Sequence, residues 1–161
     1  MMKASRSGFG FDLHPLVPGR PLVLGGVAID FELGLSGHSD ADVLSHAVGE
    51  ALLGALALGD LGRHFPDSDE RYRGISSLVL LRHVAELVAA QQARVINVDA
   101  TVLAQAPRLA PHLPEMAKRL ADVLGLPLGR VSVKAKSPEG LGLIGRKEGI
   151  AAMAVVSVEA P

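Results

Sequence analysis

The sequence predicts an α/β fold: a two-layer α+β sandwich, with a mixed sheet carrying helices on one face. Three observations predict it. Stretches of period-two alternation are interleaved with stretches of helical spacing along one chain of 161 residues. No linker and no internal repeat interrupts them, so residues 1–161 read as a single domain. The final strand is apolar on both sides, so one sheet face is left uncovered in a lone chain and self-association is expected.

Ser5 to Leu13 alternates, with Phe9, Phe11 and Leu13 pointing one way and Gly8, Gly10, Asp12 and His14 the other. Leu22–Leu24 and Val27–Ile29 flank Gly25-Gly26, and paired glycines accept the positive φ of a hairpin turn. Ser39 then opens a helix, its hydroxyl capping free amides, with Asp42 completing a variant capping box. Leu44, Val48, Ala51, Leu52 and Ala55 form the apolar stripe, and Gly59 is the expected stop. Residues 59–74 show neither period, which marks a long loop, functional or mobile, and not a mere connection.

Helical spacing resumes from Ile75 to Ala90 through Leu78, Leu81, Ala85 and Val88. Val95 to Leu103 alternates, placing Ile96, Val98, Ala100 and Val102 on one face. A third helix is expected over 111–124, with Leu113, Met116, Ala117, Leu120 and Leu124 inward and Gly125 ending it. Val131 to Ser137 is a strand, a glycine-rich loop follows, and Ile150 to Val158 is the apolar last strand.

Composition narrows the function. Hydrophobic residues at 48% and charged residues at 20% are globular proportions. A net charge of -1 without a basic block argues against a nucleic-acid partner. There is no cysteine, so any metal must be held by histidine and carboxylate, and a thiol-free chain is compatible with the cytoplasm. The first residues lack the apolar core of a secretory signal, and no apolar run approaches the roughly 20 residues of a membrane span. A soluble chain is expected.

Asp12 and His14 lie two apart on a strand and share a face, where Gly8 and Gly10 leave room for a ligand. His46 stands on the following helix between Asp42 and Glu50, each one turn away. Separately these read more readily as surface polarity. Together, one carboxylate and two imidazoles suit one Zn²⁺ per chain with an open fourth position. His38 and Ser39 stand at the helix start, where free amides favour phosphate oxygens, although Ser39 could simply cap. Lys134, Lys136, Ser137 and Glu139 cluster at a strand end; they could hold phosphates and a hard cation such as Mg²⁺, or form a solvated edge. Asp67 and Asp69 could chelate a cation or form a solvated acidic loop. Gly140, Gly142 and Gly145 match G-x-G-x-x-G, but an apolar strand follows where the dinucleotide fingerprint needs a helix. His64, His83 and His112 find no partners in the pattern.

Six segments in order give the chain a resemblance: G-F-D-L-H at 10–14, H-S-D-A-D-V-L-S-H at 38–46, G-D-L-G at 59–62, F-P-D-S-D at 65–69, A-Q-A-P-R at 104–108 and G-R-K-E-G-I at 145–150. It resembles the 2-C-methyl-D-erythritol 2,4-cyclodiphosphate synthases of non-mevalonate isoprenoid biosynthesis, nearly end to end. The resemblance implies a homotrimer whose sheets face a central cavity, with active sites between subunits. It implies a phosphorus–oxygen lyase that cyclises 4-diphosphocytidyl-2-C-methyl-D-erythritol 2-phosphate and releases CMP. Asp12, His14 and His46 would hold Zn²⁺, Glu139 would share Mg²⁺ or Mn²⁺ with phosphate oxygens, and His38 and Ser137 would stabilise the transition state.

The resemblance also maps a cytidine pocket onto Ala104, Gln105, Ala106, Pro107, Arg108, Leu109 and Ala110, together with Lys136, Ser137, Pro138 and Glu139. Ser39 would bind substrate, and Asp60, Leu61 and Gly62, with the loop Phe65, Pro66, Asp67, Ser68 and Asp69, would meet the ribose and methylerythritol hydroxyls. Leu143 and Arg146 complete the expected binding residues, and Arg146 with Glu148 would stand at a central cavity that takes isoprenoid diphosphates. The chain departs from the family at Arg108, where lysine is usual, and at Lys136 and Pro138, where threonines are usual. Two other readings are a zinc phosphohydrolase and a non-catalytic trimeric binder of isoprenoid diphosphates.

Overall fold

The computed structural model describes Met2–Pro161. Five strands form one sheet in the order β4-β1-β7-β5-β6: β1 (Ala4–Pro18), β4 (Leu33–Leu35), β5 (Arg94–Leu103), β6 (Val131–Lys136) and β7 (Gly149–Ala160). All neighbours are antiparallel except β5 and β6, so the sheet is mixed as expected. Strands β2 (Leu22–Leu24) and β3 (Val27–Ile29) pair as the predicted hairpin, and Gly25 and Gly26 both take positive φ in its turn. Helices α1 (Val43–Ala55), α3 (Ser77–Ala90) and α4 (Leu113–Leu124) pack over one face. No helix among the described residues is long and apolar enough to cross a membrane.

The alternation of β1 is real, but its buried side is the glycine side. Phe9 and Phe11 are 62% and 51% exposed, whereas Gly8 and Gly10 are buried under α1. A Cβ on Gly10 would overlap the carbonyl oxygen of Ala47, and one on Gly8 that of Ala51. The space these glycines leave is therefore occupied by a helix backbone, not by a ligand as the sequence reading had it. Opposite the helices the outer face carries Phe9 beside Val155, Phe11 beside Met153, and Leu13, an apolar patch left open in a lone chain.

Helix α1 begins three residues later than expected. Ala41 adopts a left-handed backbone (φ 57), which a helix cannot contain, and Asp42 caps in place of Ser39. Its carboxylate accepts the Ser45 amide at 3.0 Å and the Ser45 hydroxyl at 2.7 Å. It also accepts the Gly25 and Gly26 amides at 2.9 and 2.8 Å, joining helix start to hairpin turn. The helix also stops at Ala55, ahead of Gly59. Short elements escape periodicity altogether: β4, the helical turn α2 (Leu61–His64), the 3-10 turn Glu70–Tyr72, and α5 (Gly142–Gly145), too brief for a dinucleotide helix. In β5 an irregularity between Val95 and Asn97 breaks the register, so Val95 is buried with Val98 and Ile96 is out of step.

Gly10→Ala should lose about 3 kcal/mol or more through overpacking against α1. The thermal midpoint is expected to fall by roughly 6–12 °C, measured by scanning calorimetry; an unchanged midpoint would mean α1 does not rest on this strand.

Candidate metal centre and cleft

Asp12 and His14 project from the helix-facing side of β1, and His46 sits on the first full turn of α1 directly above them. Asp12 Oδ2 lies 3.0 Å from His14 Nε2 and 2.9 Å from His46 Nδ1. One ligand atom from each residue falls within 4.8 Å of the others, the one such grouping of three among the described residues. The solvated-face reading of His46 does not hold, because its ring is packed at the cleft floor and edge-on to His14.

The outward nitrogens of both rings are spoken for. His14 Nδ1 donates to the Ser36 carbonyl at 2.8 Å, which leaves its Nε2 facing Asp12. His46 Nε2 reaches the Ser77 hydroxyl at 2.8 Å and the Ser39 hydroxyl at 3.2 Å. Two imidazole nitrogens and a carboxylate oxygen thus converge at hydrogen-bond distance. Electron-rich atoms so placed are stable around a proton or a cation, and one carboxylate with two imidazoles is a divalent-metal donor set. Burial opposes ionisation of Asp12, yet hydrogen bonds and positive charge from His14 and His46 hold its carboxyl well below the usual range. Burial likewise disfavours the charged His14 ring, but the Asp12 hydrogen bond and charge raise it above its ordinary value.

Around this centre lies a cleft of about 280 Å³ lined by His38, Ser39, Leu61, Gly62, Phe65 and Asp67 among others. Its rim is tied down by polar contacts. His38 Nε2 donates to the Asp69 carbonyl at 3.0 Å, and Glu50 accepts the Leu61 amide at 2.9 Å. Asp60 caps α2, and Asp69 caps the 3-10 turn and pairs with Arg71, so Asp69 is engaged in shaping the loop. Arg20, which the sequence reading passed over, donates to the carbonyls of Leu35, Gly37 and Ser39 and so holds the His38–Ser39 segment. Ser77 and Asp40 were passed over as well. Ser77 is far in sequence from both His46 and Asp40, which hides the role of the pair, and only their residue types hint at it.

The remaining expected residues form a second group. Ala104 donates to the Lys136 carbonyl, Gln105 accepts the Gly140 amide at 2.8 Å, and Ser137 accepts the Glu139 amide at 3.1 Å, joining 104–110 to 136–140 beyond the ends of β5 and β6. Glu139 takes a left-handed backbone there (φ 54), a strain typical of functional loops. Lys136, Ser137 and Arg108 are exposed, and Glu139 does not join the Asp12 cluster. Asp12 is level with Ala152, Val102 and Ala135 across the sheet, so both groups lie at the same sheet end, about 14 Å apart at three strand spacings. Leu143 is exposed in α5, and Arg146 is exposed and paired with Glu148 at 2.6 Å.

Residues 5–159 match the YgbB family. The chain is 58% identical over 153 residues to the 2-C-methyl-D-erythritol 2,4-cyclodiphosphate synthase of Pelotomaculum thermopropionicum, covering 95% of this chain and 94% of that one. Its fold is similar to the bifunctional IspDF of Campylobacter jejuni (TM-score 0.95, 39% identity), covering 99% of this chain and 43% of that longer protein. It is also similar to a 2C-methyl-D-erythritol-2,4-cyclodiphosphate synthase solved in its CDP-bound form (TM-score 0.86, 39% identity), covering 94% of this chain and 98% of that one.

The metal-free centre should leave a signature in stability against pH. The depressed Asp12 contributes stability that is present above its unfolded value of 3.8 and lost as pH falls below it. The raised His14 contributes stability that is complete below 6.5 and lost as pH rises through its higher folded value. Chelator-treated protein should therefore lose stability as pH rises above 6.5, and Asp12→Asn should flatten that loss in thermal melts.

Proposed function

The chain belongs to the YgbB family, and from that premise we propose that it converts 4-diphosphocytidyl-2-C-methyl-D-erythritol 2-phosphate to 2-C-methyl-D-erythritol 2,4-cyclodiphosphate and CMP. The observation that carries the reading is the Asp12-His14-His46 cluster at the floor of a polar cleft, in a chain similar along its length to synthases of that name. An oxygen of the 2-phosphate attacks the β-phosphorus, a new P–O bond closes the eight-membered ring, and the bond to the α-phosphate oxygen breaks with its electrons leaving on CMP. No protein nucleophile is needed, which makes the enzyme a cyclising phosphorus–oxygen lyase.

Such a transfer asks the protein for positioning and charge neutralisation. Asp12, His14 and His46 would hold Zn²⁺, and Glu139 a second cation, Mg²⁺ or Mn²⁺. A divalent cation supplies the charge that offsets repulsion between the two phosphate groups. His38 and Ser137 would direct donors at the phosphoryl oxygens as charge builds, a role whose loss typically costs on the order of a hundredfold in rate or more. The amides and side chains of 104–110 would read the cytosine edge and Lys136 would meet the diphosphate, while Ser39, Asp67 and the 60–62 turn would meet the sugar-alcohol hydroxyls.

The two residue groups lie apart in one chain, and the apolar outer face is open; both support a homotrimer in which each site takes Asp12, His14 and His46 from one chain and Glu139 from its neighbour. The same assembly would enclose a central cavity beside Arg146 and Glu148. A phosphohydrolase reading is weaker because Glu50, a carboxylate lining the cleft, already accepts the Leu61 amide.

The direct test is CMP release from the proposed substrate, with the second product followed by phosphorus NMR. Chelator-sensitive release with a cyclic diphosphate is the expected result; a linear product would favour hydrolysis, and no CMP from metal-loaded protein would sink the reading. Mixing inactive Asp12→Ala and Glu139→Gln chains should restore roughly a quarter of the activity if sites straddle neighbouring chains and mixing is random. A mixture as inactive as its components would place all the groups of a site in one chain.

A further inference from the structure

We propose that Ser77 and Asp40 are positioning residues that select the tautomer of His46, so that Nδ1 is presented to the metal as a lone pair. The proposal rests on the metal-binding reading above and concerns groups that touch no ligand themselves.

The direction of the hydrogen bonds follows from what each atom can do. Asp40, as a carboxylate, only accepts. Its Oδ2 accepts the Ser77 amide at 3.0 Å, and its Oδ1 accepts the Asp42 amide at 3.1 Å. The Ser77 hydroxyl makes a short contact with the same Oδ1. Between a hydroxyl and a carboxylate oxygen the proton has one source, so the Ser77 hydrogen is committed to Asp40. The Ser77 oxygen then has only lone pairs left for His46 Nε2, 2.8 Å away. Nε2 must carry the hydrogen. In a neutral imidazole that strips the hydrogen from Nδ1, the atom 2.9 Å from Asp12 Oδ2. With the opposite tautomer, a bare Nε2 would face the Ser77 lone pairs, or Ser77 would turn and leave Asp40 short of a donor.

Ser77 is placed for this role by secondary structure. It is the first residue of α3, with its amide among the unpaired donors of a helix start, and it is 1% exposed. Asp40 takes up that amide and the hydroxyl together, so one carboxylate both anchors the helix and sets the proton order. The Ser39 hydroxyl, 3.2 Å from His46 Nε2, accepts the Ala41 amide and can either receive the Nε2 hydrogen or donate its own, so it fits both tautomers and the choice falls to Ser77. His14 reaches the matching end by another route, through the Ser36 carbonyl, and presents Nε2.

The test compares wild type with Ser77→Ala and Ser77→Thr. Zinc affinity is measured by competition with a chromogenic chelator, and His46 tautomers are read by proton–nitrogen NMR of metal-free protein at pH 9. Wild type is expected to carry the hydrogen on Nε2. Ser77→Ala should bind zinc about 10- to 100-fold more weakly and populate both tautomers, while Ser77→Thr should restore both properties. Wild-type protein with the hydrogen on Nδ1, or Ser77→Ala with unchanged zinc affinity and a single Nε2–H tautomer, would overturn the proposal. These readouts need no turnover. A chain that binds zinc and shows the expected tautomer without releasing CMP would overturn the proposed function and leave this inference standing.

Discussion

The close approach of α1 to β1 is the constraint on which the rest of the molecule depends. Packed helices normally stand about 8–10 Å from their neighbours because side chains fill the gap. Here Gly8 and Gly10 supply none, and the carbonyls of Ala51 and Ala47 occupy that space. The two elements also keep step. Four helix residues rise about 6 Å, close to the roughly 6.6 Å of two strand residues, so Gly8 meets Ala51, Gly10 meets Ala47, and the first turn of α1 falls over Asp12. His46 and Asp12 touch because the backbones beneath them have been brought close. The Asp12-His14-His46 cluster is a product of helix–sheet packing before it is a product of the three side chains.

Buried polar groups do the remaining assembly. Asp42 is fully buried, and burial pushes its carboxyl above the usual value despite the amides of Ser45 and Gly26. It links the start of α1 to the β2–β3 turn. Arg20 gathers three carbonyls of the segment that carries His38, and Asp40 joins that segment to α3. Among the described residues no buried side-chain polar atom lacks a partner. Each such group would be costly to leave unpaired, so each specifies one arrangement of the segments it joins.

Much of this was legible beforehand. Periodicity located every long helix and strand, because a face packed against the core must repeat at the period of its backbone. It also put Asp12 and His14 on one face. What periodicity could not show was which face was inward. Phe9 and Phe11 read as core and Gly8 and Gly10 as open space, yet the close-packed helix reverses the two. The cap at Asp42 was hidden because Ser39 is an equally good capping type, and only the left-handed Ala41 decides between them. Ser77, Asp40 and Arg20 act across long sequence separations, where no spacing rule reaches. The gap between the Asp12 group and the Glu139 group was invisible for the same reason.

His46 and Glu50 stand one turn apart on α1, one facing the metal centre and the other tethered to the amide of Leu61. The helix therefore behaves as a ruler. Its one-turn interval, about 6 Å, sets the separation between the Asp12-His14-His46 end of the cleft and the 60–62 turn, and packing on both sides keeps it from flexing. A ligand gripped at both places is judged by its length as well as its charges: one carbon too many or too few leaves one end out of register. Selectivity of that sort resides in the span of the scaffold, where no single contacting side chain can be credited with it.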